Sequence, residues 1–89
     1  MSEELTAIRQ QIDAIDRDLF ALFVERMRLS DKIAEIKREG GIPLVDHQRE
    51  ETILQRTVES APPDLQDEAL AFMSALIDMS KSRQSRQIE

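Results

Sequence analysis

An almost unbroken heptad constrains this chain more than any other feature. Leu5, Ile8, Ile12, Ile15, Leu19, Leu22, Leu29, Ile33 and Ile36 recur at alternating steps of three and four, the signature of one face of a helix. Leu5, Ile12, Leu19, Arg26 and Ile33 form the a series, and Ile8, Ile15, Leu22, Leu29 and Ile36 form the d series. The spacing predicts a single helix from about residue 2 to 38, roughly 54 Å long at 1.5 Å per residue. Ser2 is placed to cap it, Glu3 and Glu4 suit its positive end, and Gly40 or Gly41 can end it.

Two breakers divide the rest of the chain. Gly40-Gly41-Ile42-Pro43 is one and Ala61-Pro62-Pro63 is the other. Between them, Asp46 is a good N-cap for a helix over about 46–60, with Ile53, Leu54 and Val58 apolar. After the prolines, Leu65, Ala69, Phe72, Met73, Leu76, Ile77 and Met79 give a helical stripe over about 64–87. No segment alternates with period two. The expected fold is all-α, with three helices in a single domain over 1–89. Two short helices from the same chain cannot readily bury five heptads of apolar surface. The expected assembly is therefore an intertwined helical homodimer, two long helices pairing with the short ones packed around them.

Composition narrows function. The 89 residues include no cysteine and one histidine, so no disulfide framework, catalytic thiol or ordinary zinc site is expected. The first residues, Met1-Ser2-Glu3-Glu4, have neither the basic nor the apolar stretch of a secretory signal. No apolar run reaches the ~18 residues of a membrane span. The expected location is the cytoplasm. A net charge of −6 argues against nucleic acid or an anionic membrane as partner.

Cations at core-facing positions reverse that bulk reading locally. Arg26 occupies a slot that Leu or Ile fills elsewhere in the helix. An unpaired charge facing a core costs several kcal/mol, so Arg26 is either half of a structural ion pair or register device, or a cation that receives an anion. Lys37 lies eleven residues on, only ~20° around the axis and ~16 Å along it. The pair could close on a small dicarboxylate, although Lys37 alone suits an ordinary helix end. Arg9, beside the stripe, is ~25 Å from Arg26. It could serve the same ligand only from an antiparallel partner helix, and its plain alternative is a surface or interfacial ion pair. Asp46, Arg49, Glu50 and Ile53 share one face of the second helix, where Asp46 has a sufficient role as cap and the other two charges could be ordinary surface. His47 is assigned no role. Ser80 and Gln84 extend the Met73–Ile77 face of the third helix with hydrogen-bonding groups, or belong to a fraying end. Phe20, Phe23, Phe72 and the methionines read as packing residues. No phosphate loop, dinucleotide fingerprint or metal cluster is present.

Taken together, Arg9, Arg26, Lys37, Asp46, Arg49, Glu50, Ser80 and Gln84 resemble, in identity and order, the active site of the all-helical (AroQ) chorismate mutases. So do Ile8-Arg9-Gln10-Gln11-Ile12-Asp13, Glu25-Arg26, Ala34-Glu35-Ile36-Lys37, Ile42-Pro43 and Asp46-His47-Gln48-Arg49-Glu50-Glu51. The resemblance covers essentially the whole chain and is most specific in the first two helices. It implies the stand-alone form of the enzyme, an intertwined dimer with two equivalent sites, and rearrangement of chorismate to prephenate without metal or cofactor. It further implies that Arg26, helped by Ser80, holds one substrate carboxylate and that Arg9 of the other chain contributes at the other. Lys37 and Gln84 would donate to the ether oxygen, and Glu50, with the Asp46 region, would accept from the ring hydroxyl. Arg49 would orient these carboxylates. Isochorismate pyruvate lyase, of the same fold, is the nearest alternative. A non-enzymatic helical dimerisation module is the alternative from another class.

Overall fold

A computed structural model describes residues 2–86 of the chain. The helices are α1 (Glu3–Gly40), α2 (His47–Ser60) and α3 (Gln66–Arg86), with a short 3-10 turn over Pro63–Leu65 before α3. No strand occurs among the described residues. The end expected for the third helix at residue 87 lies outside them.

The helix ends follow from local chemistry. Ser2 Oγ accepts from the Leu5 amide at 3.0 Å, and Asp46 Oδ1 accepts from the Arg49 amide at 2.9 Å. Each satisfies one of the free amides that open a helix. At the other end of α1, Gly41 takes φ +65°. Its amide donates to the Arg38 carbonyl at 3.4 Å, and the Ile42 amide donates to the Lys37 carbonyl at 2.8 Å. This paired closure needs a left-handed residue, which glycine supplies without a Cβ clash. The third helix starts later than its apolar stripe suggests. Pro62 and Pro63 fix their own φ angles, and the Leu65 amide reaches the Pro62 carbonyl at 2.9 Å in a tight turn before α3 begins.

In the fold α3 is the central element. It packs against α2 and against the C-terminal half of α1, whereas α1 and α2 make no close backbone approach among the described residues. The core is correspondingly small: Met27, Ala34, Ile53, Leu76 and Ile77 are its buried apolar residues. Every residue from 2 to 22 is exposed. That stretch carries Leu5, Ile8, Ile12, Ile15, Leu19 and Leu22, with Ile15 62% exposed. Each such side chain, about half exposed, forgoes on the order of half of the 1.5–3 kcal/mol that complete burial provides. Long α1 gives the chain its extents of 59 × 26 × 15 Å. The aromatic residues expected to pack do so only in part within one chain. Phe23 is half-buried and stands 6.2 Å from the Phe20 ring, while Phe20 and Phe72 are exposed. No helix among the described residues is long and apolar enough to cross a membrane.

Candidate active site

Where the C-terminal half of α1 meets α3 and the start of α2, the chain forms a half-open cavity of about 240 Å³. Its apolar walls are Leu29, Ile33, Leu44, Ile53 and Ile77. Its polar lining is Arg26, Ser30 and Lys37 from α1, Asp46, Arg49 and Glu50 from the start of α2, and Ser80, Lys81 and Gln84 from α3. Seven of the eight residues singled out in the sequence therefore surround one space. The exception is Arg9, which lies on the exposed N-terminal part of α1, about 25 Å along the helix from Arg26.

Helical periodicity produces this convergence. Arg26, Ser30, Ile33 and Lys37 are spaced i, i+4, i+7 and i+11, so a single face of α1 lines one wall. Residues 77, 80, 81 and 84 do the same on α3. Arg26 Nη1 donates to Ser80 Oγ at 2.9 Å and, at the longer 3.5 Å, to the Leu76 carbonyl. Burial, and then the nearby Arg49 charge, lower the Arg26 pKa from its ordinary value. Both effects disfavour the charge on Arg26 itself and would be offset by a bound anion. Lys37 Nζ donates to the Leu44 carbonyl at 3.0 Å, a contact made available by the glycine closure that turns the chain back past the end of α1.

The polar end of α3 is ordered rather than frayed. Gln84 is only 8% exposed and donates through Nε2 to Ser30 Oγ at 3.1 Å, with Ser30 itself 6% exposed. One position along each helix, Arg83 grips Asp31 with two bonds, Nε to Oδ1 at 2.9 Å and Nη2 to Oδ2 at 2.6 Å. This fork fixes the register of α3 against α1. The Arg83 hydrogen bond is the main reason that the Asp31 carboxyl is held below its ordinary range. Lys81 reaches across to α2, its Nζ 3.4 Å from Glu50 Oε1. His47, exposed at the start of α2, has Nδ1 4.0 Å from the same oxygen.

Ser30 and Lys81 line the cavity and were not singled out in the sequence. Ser30 was legible there, since it lies four residues beyond Arg26 on the same face. Lys81 carried the same positional signal, four residues beyond Ile77, but a lysine beside Ser80 in a polar tail looks like ordinary surface. No group of acidic or histidine side chains able to hold a metal occurs among the described residues. What the cavity offers is a set of cationic and neutral donors, two carboxylates and apolar walls. It holds no nucleophile paired with a base. Such a site suits the binding of a small anion with an apolar body, and reactions that respond to shape and electrostatic field.

Comparison with known proteins agrees with this description. Residues 8–85 match the profile of the family described as chorismate mutase type II. Over 91 aligned positions the chain is 35% identical to a chorismate mutase of Methanocaldococcus jannaschii, covering 100% of this chain and 92% of that protein. It is 36% identical to a T-protein of Enterobacter agglomerans over 79% of this chain but 20% of that one. It is also 37% identical to a bifunctional chorismate mutase/prephenate dehydratase of Aquifex aeolicus, over 61% of this chain and 15% of that protein. The chain thus spans only a small part of those longer relatives. No solved structure gives a significant match.

Proposed function

We propose, from the premise that the chain belongs to the chorismate mutase type II family, that it converts chorismate to prephenate in the synthesis of phenylalanine and tyrosine. The observation that carries this reading is the convergence of Arg26, Lys37, Asp46, Arg49, Glu50, Ser80 and Gln84 on one cavity. The reaction is a [3,3] rearrangement within one molecule. The ether C–O bond breaks, a C–C bond forms, and no proton or group is exchanged with the protein. A site without nucleophile or general base is therefore sufficient.

The physical task is to hold a flexible dianion with its enolpyruvyl arm over the ring. Clamping both carboxylates restricts it to that chair-like shape and converts binding energy into rate. Arg26, steadied by Ser80, is proposed to grip one carboxylate. A guanidinium suits this work because its fork matches two carboxylate oxygens. As the C–O bond lengthens, negative charge grows on the ether oxygen. Lys37 and Gln84 are proposed to donate there, where fixed donors stabilise the transition state more than the ground state. Glu50, near Asp46, is proposed to accept from the ring hydroxyl, with Arg49 orienting the carboxylates. Metal and cofactor have no part in the proposal.

The second substrate carboxylate calls for a further cation, and Arg9 of a partner chain is proposed to supply it. The exposed apolar face of α1 between Leu5 and Leu22 supports a homodimer in which two such helices cover each other. A cytoplasmic setting belongs to the same proposal. The deciding experiment incubates the purified chain with chorismate, and in parallel with isochorismate, and follows products by absorbance and chromatography. Prephenate from chorismate is the expected result. Its absence at every enzyme concentration would sink the proposal.

A further inference from the structure

Four cations of one chain line the cavity, Arg26, Lys37, Arg49 and Lys81, against two carboxylates, Asp46 and Glu50. Three of the cations have roles in the reaction proposed above. Lys81 has none, yet it reaches from α3 to a carboxylate of α2 at the cavity wall. Its ammonium lies 3.4 Å from Glu50 Oε1, with the two side chains 38% and 22% exposed. Its neighbour Ser80 accepts from Arg26 at 2.9 Å. Two consecutive residues of α3 thus tie it to a cation of α1 and to a carboxylate of α2.

Glu50 needs such a tie. A carboxylate at the wall of a site for a dianion is repelled by its own ligand, and the repulsion grows as the ligand displaces water. The other group near Glu50 Oε1 is His47 at 4.0 Å. It is exposed, and charged only when protonated. Lys81, at 3.4 Å, is the nearer cation and is placed to offset the repulsion. Because it touches only one of the two oxygens, it leaves Oε2 to accept a hydrogen bond from a ligand hydroxyl. Resting on the chorismate mutase reading, we propose that Lys81 is a positioning residue, which fixes the Glu50 carboxylate at the cavity wall so that the site recognises a hydroxylated dicarboxylate and not merely a dicarboxylate.

The test combines kinetics with binding in the full-length chain. Lys81→Met should lower kcat/KM roughly fivefold, the scale of a partly exposed ion pair, with Lys81→Arg restoring most of the loss. In a Glu50→Gln background Lys81→Met should add nothing, since the carboxylate that it serves is gone. Calorimetry with a stable bicyclic ether dicarboxylate and its deoxy counterpart should show a preference for the hydroxylated ligand in the wild type, and little preference in Lys81→Met. A melting temperature near that of the wild type would separate positioning from a structural role. An undiminished hydroxyl preference in Lys81→Met, or an equal loss of activity in the presence and absence of Glu50, would overturn the proposal for Lys81 and leave the enzyme reading standing. A wild-type chain that makes no prephenate and binds neither ligand would overturn both.

Discussion

Arg26 Nη1 donates to Ser80 Oγ at 2.9 Å, joining residues 54 positions apart in sequence across the α1–α3 contact. The hydroxyl accepts from one nitrogen of the guanidinium at the wall of the cavity that both residues line. Arg26 is expected to bind a substrate carboxylate directly and Ser80 to aim it. Arg26→Ala should therefore lower kcat/KM by about 10²–10³-fold, the scale of losing one preorganised charged donor. Ser80→Ala should cost about tenfold or less, since a free arginine retains its charge. Steady-state kinetics measures both. An Arg26→Ala chain with normal activity would remove the central element of the proposed site.

The turn after α1 has its own testable consequence. Gly41 at φ +65° has open space where a Cβ would stand, so Gly41→Ala meets a backbone penalty and no steric clash. The expected loss of stability is about 1–2 kcal/mol, read from chemical denaturation. The same turn presents the Leu44 carbonyl to Lys37 Nζ. Activity at temperatures well below unfolding should accordingly fall with stability, unlike the effect of an ordinary surface substitution.

The all-α class and the convergence of the site were legible because both are set by helical periodicity. Arg26 and Lys37 stand out as charges on, or aligned with, an apolar stripe, and Asp46 announces a helix start. The α1–α3 register was not legible. It depends on the Asp31–Arg83 fork and the Ser30–Gln84 bond, each between residues more than 50 positions apart. Neither pair departs from what an exposed helix would show on its own. The burial of Gln84 likewise escapes local reading, because Arg83, Ser85 and Arg86 around it look like a solvated tail. Periodicity puts residue 84 on the Met73–Ile77 face, and the packing of α3 on α1 is what buries it and gives it Ser30 as a partner.

The Asp31–Arg83 fork should make stability depend on acidity. Folding lowers the Asp31 pKa, mainly through the Arg83 hydrogen bond. Its contribution is thus fully present above the ordinary carboxylate pKa of about 3.9 and is lost as pH falls through the lower folded value. Asp31→Asn should weaken the protein at neutral pH and flatten the decline of melting temperature below about pH 4. Parallel acid limbs for the two proteins in thermal melts across pH 2–7 would show that this fork is not the coupling.

Arg9 makes the strongest demand on the proposed assembly. Within one chain it lies about 25 Å along α1 from Arg26, too far for both to grip one small molecule. Arg9→Ala and Lys37→Ala should each be nearly inactive, because in either homodimer both sites lack one group. Mixing equal amounts under conditions that exchange subunits should make half of the molecules heterodimers. In each heterodimer one site carries both substitutions and the other carries neither. About a quarter of wild-type activity should return, the share of intact sites that random pairing of two subunits yields. Light scattering should give the mass of two chains before and after mixing. Exchange without any recovery would show that Arg9 acts within its own chain or not at all. A monomeric mass would remove the shared site altogether and leave the apolar face from Leu5 to Leu22 to be covered by something else.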